Sequence, residues 1–138
     1  MENSKKGGLP MGQGIKLSQK DNPSNAIELE RMKRIPYASA IGSIMYAMTC
    51  TRPDVAFALS MTCKFQQNPG EEHWKAVKSI LKYLRQTKDY FLVYGGEEKL
   101  AATGYTDASF QTDLDNFKSQ SGYTFIFNGG AVSWKSSK

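Results

Sequence analysis

Residues 71–86 read EEHWKAVKSILKYLRQ, and this stretch decides the helical half of the fold. Trp74, Val77, Ile80, Leu81 and Leu84 recur at spacings of three and four, which lays one apolar stripe along a helix. Glu71 and Glu72 stand where a carboxylate complements the positive end of the helix dipole. The opposite side carries Lys75, Lys78, Lys82 and Arg85 at the same spacings, with Lys88 just beyond and no acidic residue between His73 and Lys88. The spacing therefore predicts an amphipathic helix with a basic ridge.

Upstream, Tyr37–Cys50 (YASAIGSIMYAMTC) sets Ile41, Ile44, Met45 and Met48 on one face, with small residues around them. Thr51-Arg52-Pro53-Asp54 announces a further helix, because proline is tolerated in a first turn. It is expected to bury Val55, Ala58, Leu59, Thr62 and Phe65 and to run to about Gln66, before Asn68-Pro69-Gly70 stops it. Asn25 with Glu28 resembles a capping box and could start a short polar helix ending before Pro36. The residues before it, rich in Gly, Lys, Ser and Asn, read as an extended or disordered arm. Three helices joined by short linkers can cover one another's apolar faces as a small bundle.

After Thr87 the period changes from 3.6 to 2. Tyr90–Tyr94 (YFLVY) reads as a short strand ended by Gly95-Gly96, Lys99–Ser109 as the next, Ser121–Phe127 as another and Ala131–Ser136 as a last one. Asn128-Gly129-Gly130 supplies the hairpin turn. Tyr123, Phe125 and Phe127 share one face of their strand and call for cover on that side.

The chain has 138 residues, enough for one ordinary domain or two small joined pieces. With 40% hydrophobic and 22% charged residues it has the composition of a globular protein rather than a disordered one. The net charge of +5 leans towards a polyanionic partner, although a basic surface kept only for solubility has the same charge. Cys50 and Cys63 lie in apolar stretches, as reduced thiols do, which points to a reducing compartment. With His73 they do not make a closely spaced ligand set, so no zinc site is expected. No apolar run is long enough to cross a bilayer and no signal core follows Met1, so a soluble protein of the cytoplasm or nucleus is expected, with no membrane partner.

Several motifs, in order, resemble copia-type LTR retrotransposon Pol polyproteins. Tyr37–Asp54 (YASAIGSIMYAMTCTRPD) is similar to the thumb pattern Y-x-x-x-(I/V)-G-S-L-x-Y followed by T-R-P-D, and His73–Asp89 to H-W-x-A-x-(K/R)-x-(I/V)-L-R-Y-L-(K/R)-x-T. Gly104–Ser109 (GYTDAS), Asp113 with Asp115, Ser119–Tyr123 (SQSGY) and Gly130–Lys138 (GAVSWKSSK) resemble the opening of the family's ribonuclease H. Asn3–Pro10 and Ile15–Ser18 look like the connector after the polymerase palm. The resemblance implies an α+β fold: a flexible connector arm over 1–24, a three-helix thumb-like bundle over 25–88, and over 89–138 an incomplete antiparallel β-meander of ribonuclease H type.

It also implies roles. Lys75, Lys78, Lys82, Arg85 and Lys88 would follow the phosphates of an RNA·DNA hybrid, against the bland reading of a solvated helix face. Asp107 aligns with the first carboxylate of the ribonuclease H site, and so with a catalytic ligand of Mg²⁺ in the parent enzyme. That chemistry uses two metals about 4 Å apart and therefore several carboxylates. No Y-x-D-D palm motif and no T-E-A-E segment occur, and no Asp or Glu follows Asp115. The expectation is a truncated, inactive piece that binds no metal itself, with the remainder of the polyprotein as partner and a virus-like particle as the parent's location. The alternative is a small basic nucleic-acid-binding module. Ser109, Phe110 and Phe117 depart from the family's usual Asp, Trp and Arg. Trp74 is expected in the core, and Asp113 and Asp115 in a turn.

Overall fold

The computed structural model describes residues 7–95, 100–109 and 113–137. Met1–Lys6, Gly96, Lys99, Phe110 and Lys138, on which some of the sequence expectations fall, lie outside the described residues. Four α-helices, α1 (Ala26–Lys33), α2 (Tyr37–Cys50), α3 (Ala56–Cys63) and α4 (Glu71–Gln86), precede an antiparallel sheet of β1 (Ala102–Ser109), β2 (Gln120–Phe127) and β3 (Gly130–Ser137). The sheet order is β1-β2-β3, so the architecture is α+β.

Helix α3 sits in the middle. Ala56, Ala58, Leu59, Met61 and Thr62 are all buried, which leaves the helix almost no polar face and requires cover on several sides. It packs against α2 and α4 on one side and against β3 on the other. The core it shares with them consists of Tyr37, Ile41, Ile44, Val55, Val77 and Ile80. Met45, placed on the α2 apolar face by its spacing, is largely exposed, and Tyr37 takes up that side of the core instead. Its hydroxyl donates to the Thr62 carbonyl at 2.8 Å.

The helix expected over 51–66 is interrupted at both ends. Pro53–Val55 form a 3-10 turn, and after Cys63 the chain continues in single turns, with Phe65 N–H donating to Thr62 O at 3.2 Å and Gln66 N–H to Cys63 O at 3.4 Å. Tyr90–Tyr94 is also not a strand. All five of its residues are apolar or aromatic, so they define no buried parity, and Tyr90, Phe91, Val93 and Tyr94 remain exposed. Two hydrogen bonds tie the segment to the end of the hairpin instead, from Gly95 N–H to Asn128 O and from the Tyr94 hydroxyl to Ala131 O, both at 2.8 Å.

The β2–β3 hairpin turns through Asn128 and Gly129 with φ of 50° and 80°, the two positive values that a tight turn between right-twisted strands requires. Across β1–β2, Asp107 faces Gly122 and Gly104 faces Phe125. A Cβ at Gly104 would fall 2.7 Å from the Phe125 ring, so the missing side chain lets that ring lie over β1. Tyr123, Phe125 and Phe127 remain 37%, 44% and 38% exposed.

The sheet is pinned to the helices by polar contacts. Trp134 Nε1–H donates to Met48 O at 3.0 Å, and Gln120 Nε2 donates to the hydroxyls of Ser60 and Ser136. Lys64 Nζ donates to Asp113 at 2.8 Å and to Asp115 at 3.5 Å. No helix among the described residues is long and apolar enough to cross a membrane.

Candidate nucleic-acid interface and the Asp107 carboxylate

The basic residues of α4 fall along one side of the helix, but their surroundings differ. Lys75 is exposed and donates to Glu72 at 2.6 Å, a neighbour one turn back that partly neutralises it. Lys78 lines a groove with Lys20, Asn22, Arg31 and Trp74. Lys82 lies beneath the start of the arm, where a Cβ at Gly7 would come 3.1 Å from Lys82 Cβ. Arg85 is half-buried in the last turn and Lys88 is exposed beyond it. Trp74 packs on the core, tilted against Tyr37 with ring centroids 6.3 Å apart. Tyr83 donates its hydroxyl to Asp54 Oδ2 at 2.7 Å.

The arm preceding α1 is extended and docked along α4. Leu17, two residues after the exposed Ile15, is buried against Phe65 and Ala76. The following 3-10 turn, Gln19–Asp21, is closed at its start: Ser18 Oγ accepts from Lys20 N–H and Asp21 Oδ2 from Ser18 N–H, both at 3.0 Å. The approach to α4 is so close that a Cβ at Gly70 would fall 1.6 Å from Asp21 O. The arm brings Lys20 into the groove that Lys78 lines.

His73 is completely buried where arm and helix meet. Its Nδ1 accepts the Gly70 N–H at 2.9 Å, the service a Glu or Gln at this third helical position performs in a capping box. Nδ1 therefore carries no proton, and Nε2–H donates to Ser18 O at 3.0 Å. The ring stacks on Phe65 at 3.7 Å and 10°. Burial lowers its pKa below the ordinary histidine value, more than the Ser18 carbonyl and the Asp21 carboxylate raise it.

Asp107 is exposed on β1, at the edge of a groove between the 53–57 turn and the sheet that Phe57, Tyr105, Gln120 and Trp134 also line. Asp113, expected in a turn, does shape one: it accepts from Asp115 N–H at 3.2 Å, and Phe117 N–H donates to its carbonyl at 2.9 Å. It is also only 1% exposed and bound to Lys64. Among the described residues no three His, Cys, Asp or Glu side chains come together in a way that could hold a metal ion. One strand carboxylate beside hydroxyls and an amide does not fit the two-metal cage that ribonuclease H chemistry requires.

Hydrophobic periodicity does not reveal His73, Arg52, Ser18 or Gln120, since each is polar. Two local signals point to the first two: a ring nitrogen three residues after Gly70, at a helix start, and an Arg two residues before Asp54 across a proline.

The sequence is 49% identical over 136 residues to the retrovirus-related Pol polyprotein from transposon TNT 1-94 of Nicotiana tabacum, a match that covers 99% of this chain and 10% of that protein. It is 44% identical over 107 residues to secreted RxLR effector protein 161 of Plasmopara viticola, covering 78% of this chain and 75% of that protein. It is 31% identical over 102 residues to the retrovirus-related Pol polyprotein from transposon RE2 of Arabidopsis thaliana, covering 74% of this chain and 7% of that protein. The chain thus spans a tenth or less of the length of these two Pol polyproteins. No family model and no solved structure matches it.

Proposed function

Because this chain belongs with the retrovirus-related Pol polyproteins of transposons, of which it matches a segment, we propose that it is the part joining a reverse-transcriptase thumb to the first strands of a ribonuclease H, and that its own work is to hold an RNA·DNA duplex. The observation that carries this reading is the ridge of Lys78, Lys82 and Arg85 on one side of α4, continued by Lys88 just beyond the helix and broadened by Lys20 of the docked arm. Such a row of cations on a rigid helix suits the regular spacing of backbone phosphates and reads no base, so binding rests on counterion release. In the same reading Asp107 is a metal-binding carboxylate that needs partners from outside the described residues.

A salt titration of binding to an RNA·DNA duplex tests the ridge. The affinity should fall steeply with salt, and the slope of log K against log salt should shrink by about one for each phosphate that Lys78→Glu and Lys82→Glu leave without its cation. Absence of binding at low salt, or an unchanged slope in both variants, removes the reading.

A further inference from the structure

We propose that residues 7–22 form a strap which helix α4 retains only while His73 is uncharged, so that this imidazole is a proton-operated latch on the strap. The inference is independent of the nucleic-acid reading and rests on how the strap is held. Its buried apolar anchor is Leu17, with Met11 partly buried beside it. Its polar anchors meet at one ring, where Gly70 N–H on α4 and Ser18 O on the strap occupy opposite nitrogens of His73. Beyond that ring the turn of the strap is tied to the 113–118 loop, by a hydrogen bond from Gln19 N–H to Asp115 Oδ1 at 2.9 Å.

The geometry admits one protonation state. In the neutral ring Nδ1 is an acceptor and Nε2 a donor, which matches one N–H and one carbonyl. In the cation both nitrogens are donors, and Nδ1–H would point at Gly70 N–H. The ring cannot swing out to water, since it is fully buried and stacked on Phe65. Protonation sets donor against donor only at Gly70, while Nε2–H keeps Ser18 O. What disfavours the cation is burial, and the strap, which packs over the ring and has no helical ladder of its own behind it, is the part that opens to let water reach the charge. The charged groups facing the ring are Asp21 from the strap, with Oδ2 4.0 Å from Nε2, Lys64 from the end of α3, and Asp115 from the 113–118 loop. The two carboxylates favour the cation and Lys64 opposes it, but burial dominates. Release of the strap uncovers Phe65 and Ala76 and frees the Lys82 side of the basic ridge.

His73 is the only histidine in the chain, so its titration is read without ambiguity. The experiment follows amide exchange of the whole chain between about pH 8 and about pH 5, corrected for intrinsic rates, together with ¹⁵N shifts of the imidazole. The expected result is an Nε2–H tautomer at the upper end, and strap amides that lose up to roughly tenfold in protection per pH unit as pH falls from about 6.5 towards the folded imidazole's pKa, while α2 and α4 stay better protected than the strap at every pH. His73→Phe, which keeps the stack but cannot titrate, should abolish that pH dependence. The latch is overturned if strap protection is the same across the range, if the strap is never less protected than the helices and so opens only with them, or if His73→Phe keeps the pH dependence. Should that variant fail to fold, the unmodified chain decides: the loss of strap protection must begin near the ordinary imidazole value of about 6.5 and level off at the pKa measured in the folded chain, and a mismatch overturns the proposal.

Discussion

Arg52 fastens the turn between α2 and α3 to the end of α4: its Nη1–H donates to the Thr87 carbonyl at 3.2 Å while Nε and Nη2 hold both oxygens of Asp54 at 3.0 and 2.7 Å. The guanidinium also lies 5.4 Å from the centre of the Tyr83 ring. Groups from two parts of the chain thus converge on one buried cation. Burial raises the Asp54 pKa, but the hydrogen bonds from Arg52 and Tyr83 lower it further, and the net position is below the ordinary carboxylate value.

Arg52→Ala should therefore cost about 2 to 3 kcal/mol in urea unfolding, at the low end for a broken buried pair because the Asp54 side chain is 36% exposed. Arg52→Lys should recover little, since an ammonium cannot reproduce the two-pronged grip on the carboxylate. Equal stability of Arg52→Lys and the parent chain would show that charge alone suffices.

Two glycines should respond in opposite directions to alanine. Gly70 has Asp21 O where a Cβ would sit, so Gly70→Ala must displace the strap and should cost about 1 to 3 kcal/mol. Gly42 lies inside α2 with nothing within 4 Å of the same position, and Gly42→Ala should stabilise by about 0.5 to 1 kcal/mol through helix propensity. Thermal melts of the two single variants check both signs at once.

Lys64 links the end of α3 to the loop that precedes β2. Lys64→Ala leaves the 1%-exposed carboxylate of Asp113 without its ammonium partner and should destabilise by about 2 kcal/mol or more. Asp115→Ala removes the longer of the two ion pairs and should cost less. A stability ranking in which Asp115→Ala is the worse of the two would contradict the short Lys64–Asp113 pair as the main tie.

Acid should weaken the fold in two separate steps. His73 has a folded pKa below its ordinary 6.5, so the unfolded chain takes up its proton first, and stability falls as pH drops from about 6.5 until the folded pKa is passed. Asp54 has a folded pKa below its ordinary 3.8, and its contribution, present above that value, is lost as pH falls through the folded pKa. Urea midpoints should decline between about pH 7 and about pH 5 in the parent chain and stay flat over that window in His73→Phe.

How far the sequence can be read depends on whether apolar side chains carry the information. The stripe of α4 is legible because Val77 and Ile80 recur at helical spacing, and the hairpin because Asn128-Gly129 is a turn between two apolar runs. Tyr90–Tyr94 misleads because a run that is apolar at every position cannot say which side faces a neighbour. The docking of Leu17 is not legible because Ile15, in step with it two residues earlier, stays 40% exposed, so the pair marks no buried face. Asp107, which the resemblance places in an acidic cluster, stands as an exposed carboxylate among the described residues. Lys78 and Lys82 lie on the expected side of α4, but the arm laid beside them leaves no sign in residues rich in glycine and lysine.

The course of the strap also bears on the order in which the chain acquires its structure during synthesis. Ser18 meets His73 across 55 residues, and Gln19 meets Asp115 across 96. A ribosome delivers the strap well before either partner, and pairings this far apart in sequence form slowly because a long loop must close first. Residues 7–22 are thus made before every helix of the fold, but their ties to His73 and Asp115 cannot close until those residues have been made, and until Leu17 docks, Phe65 and Ala76 lack its cover.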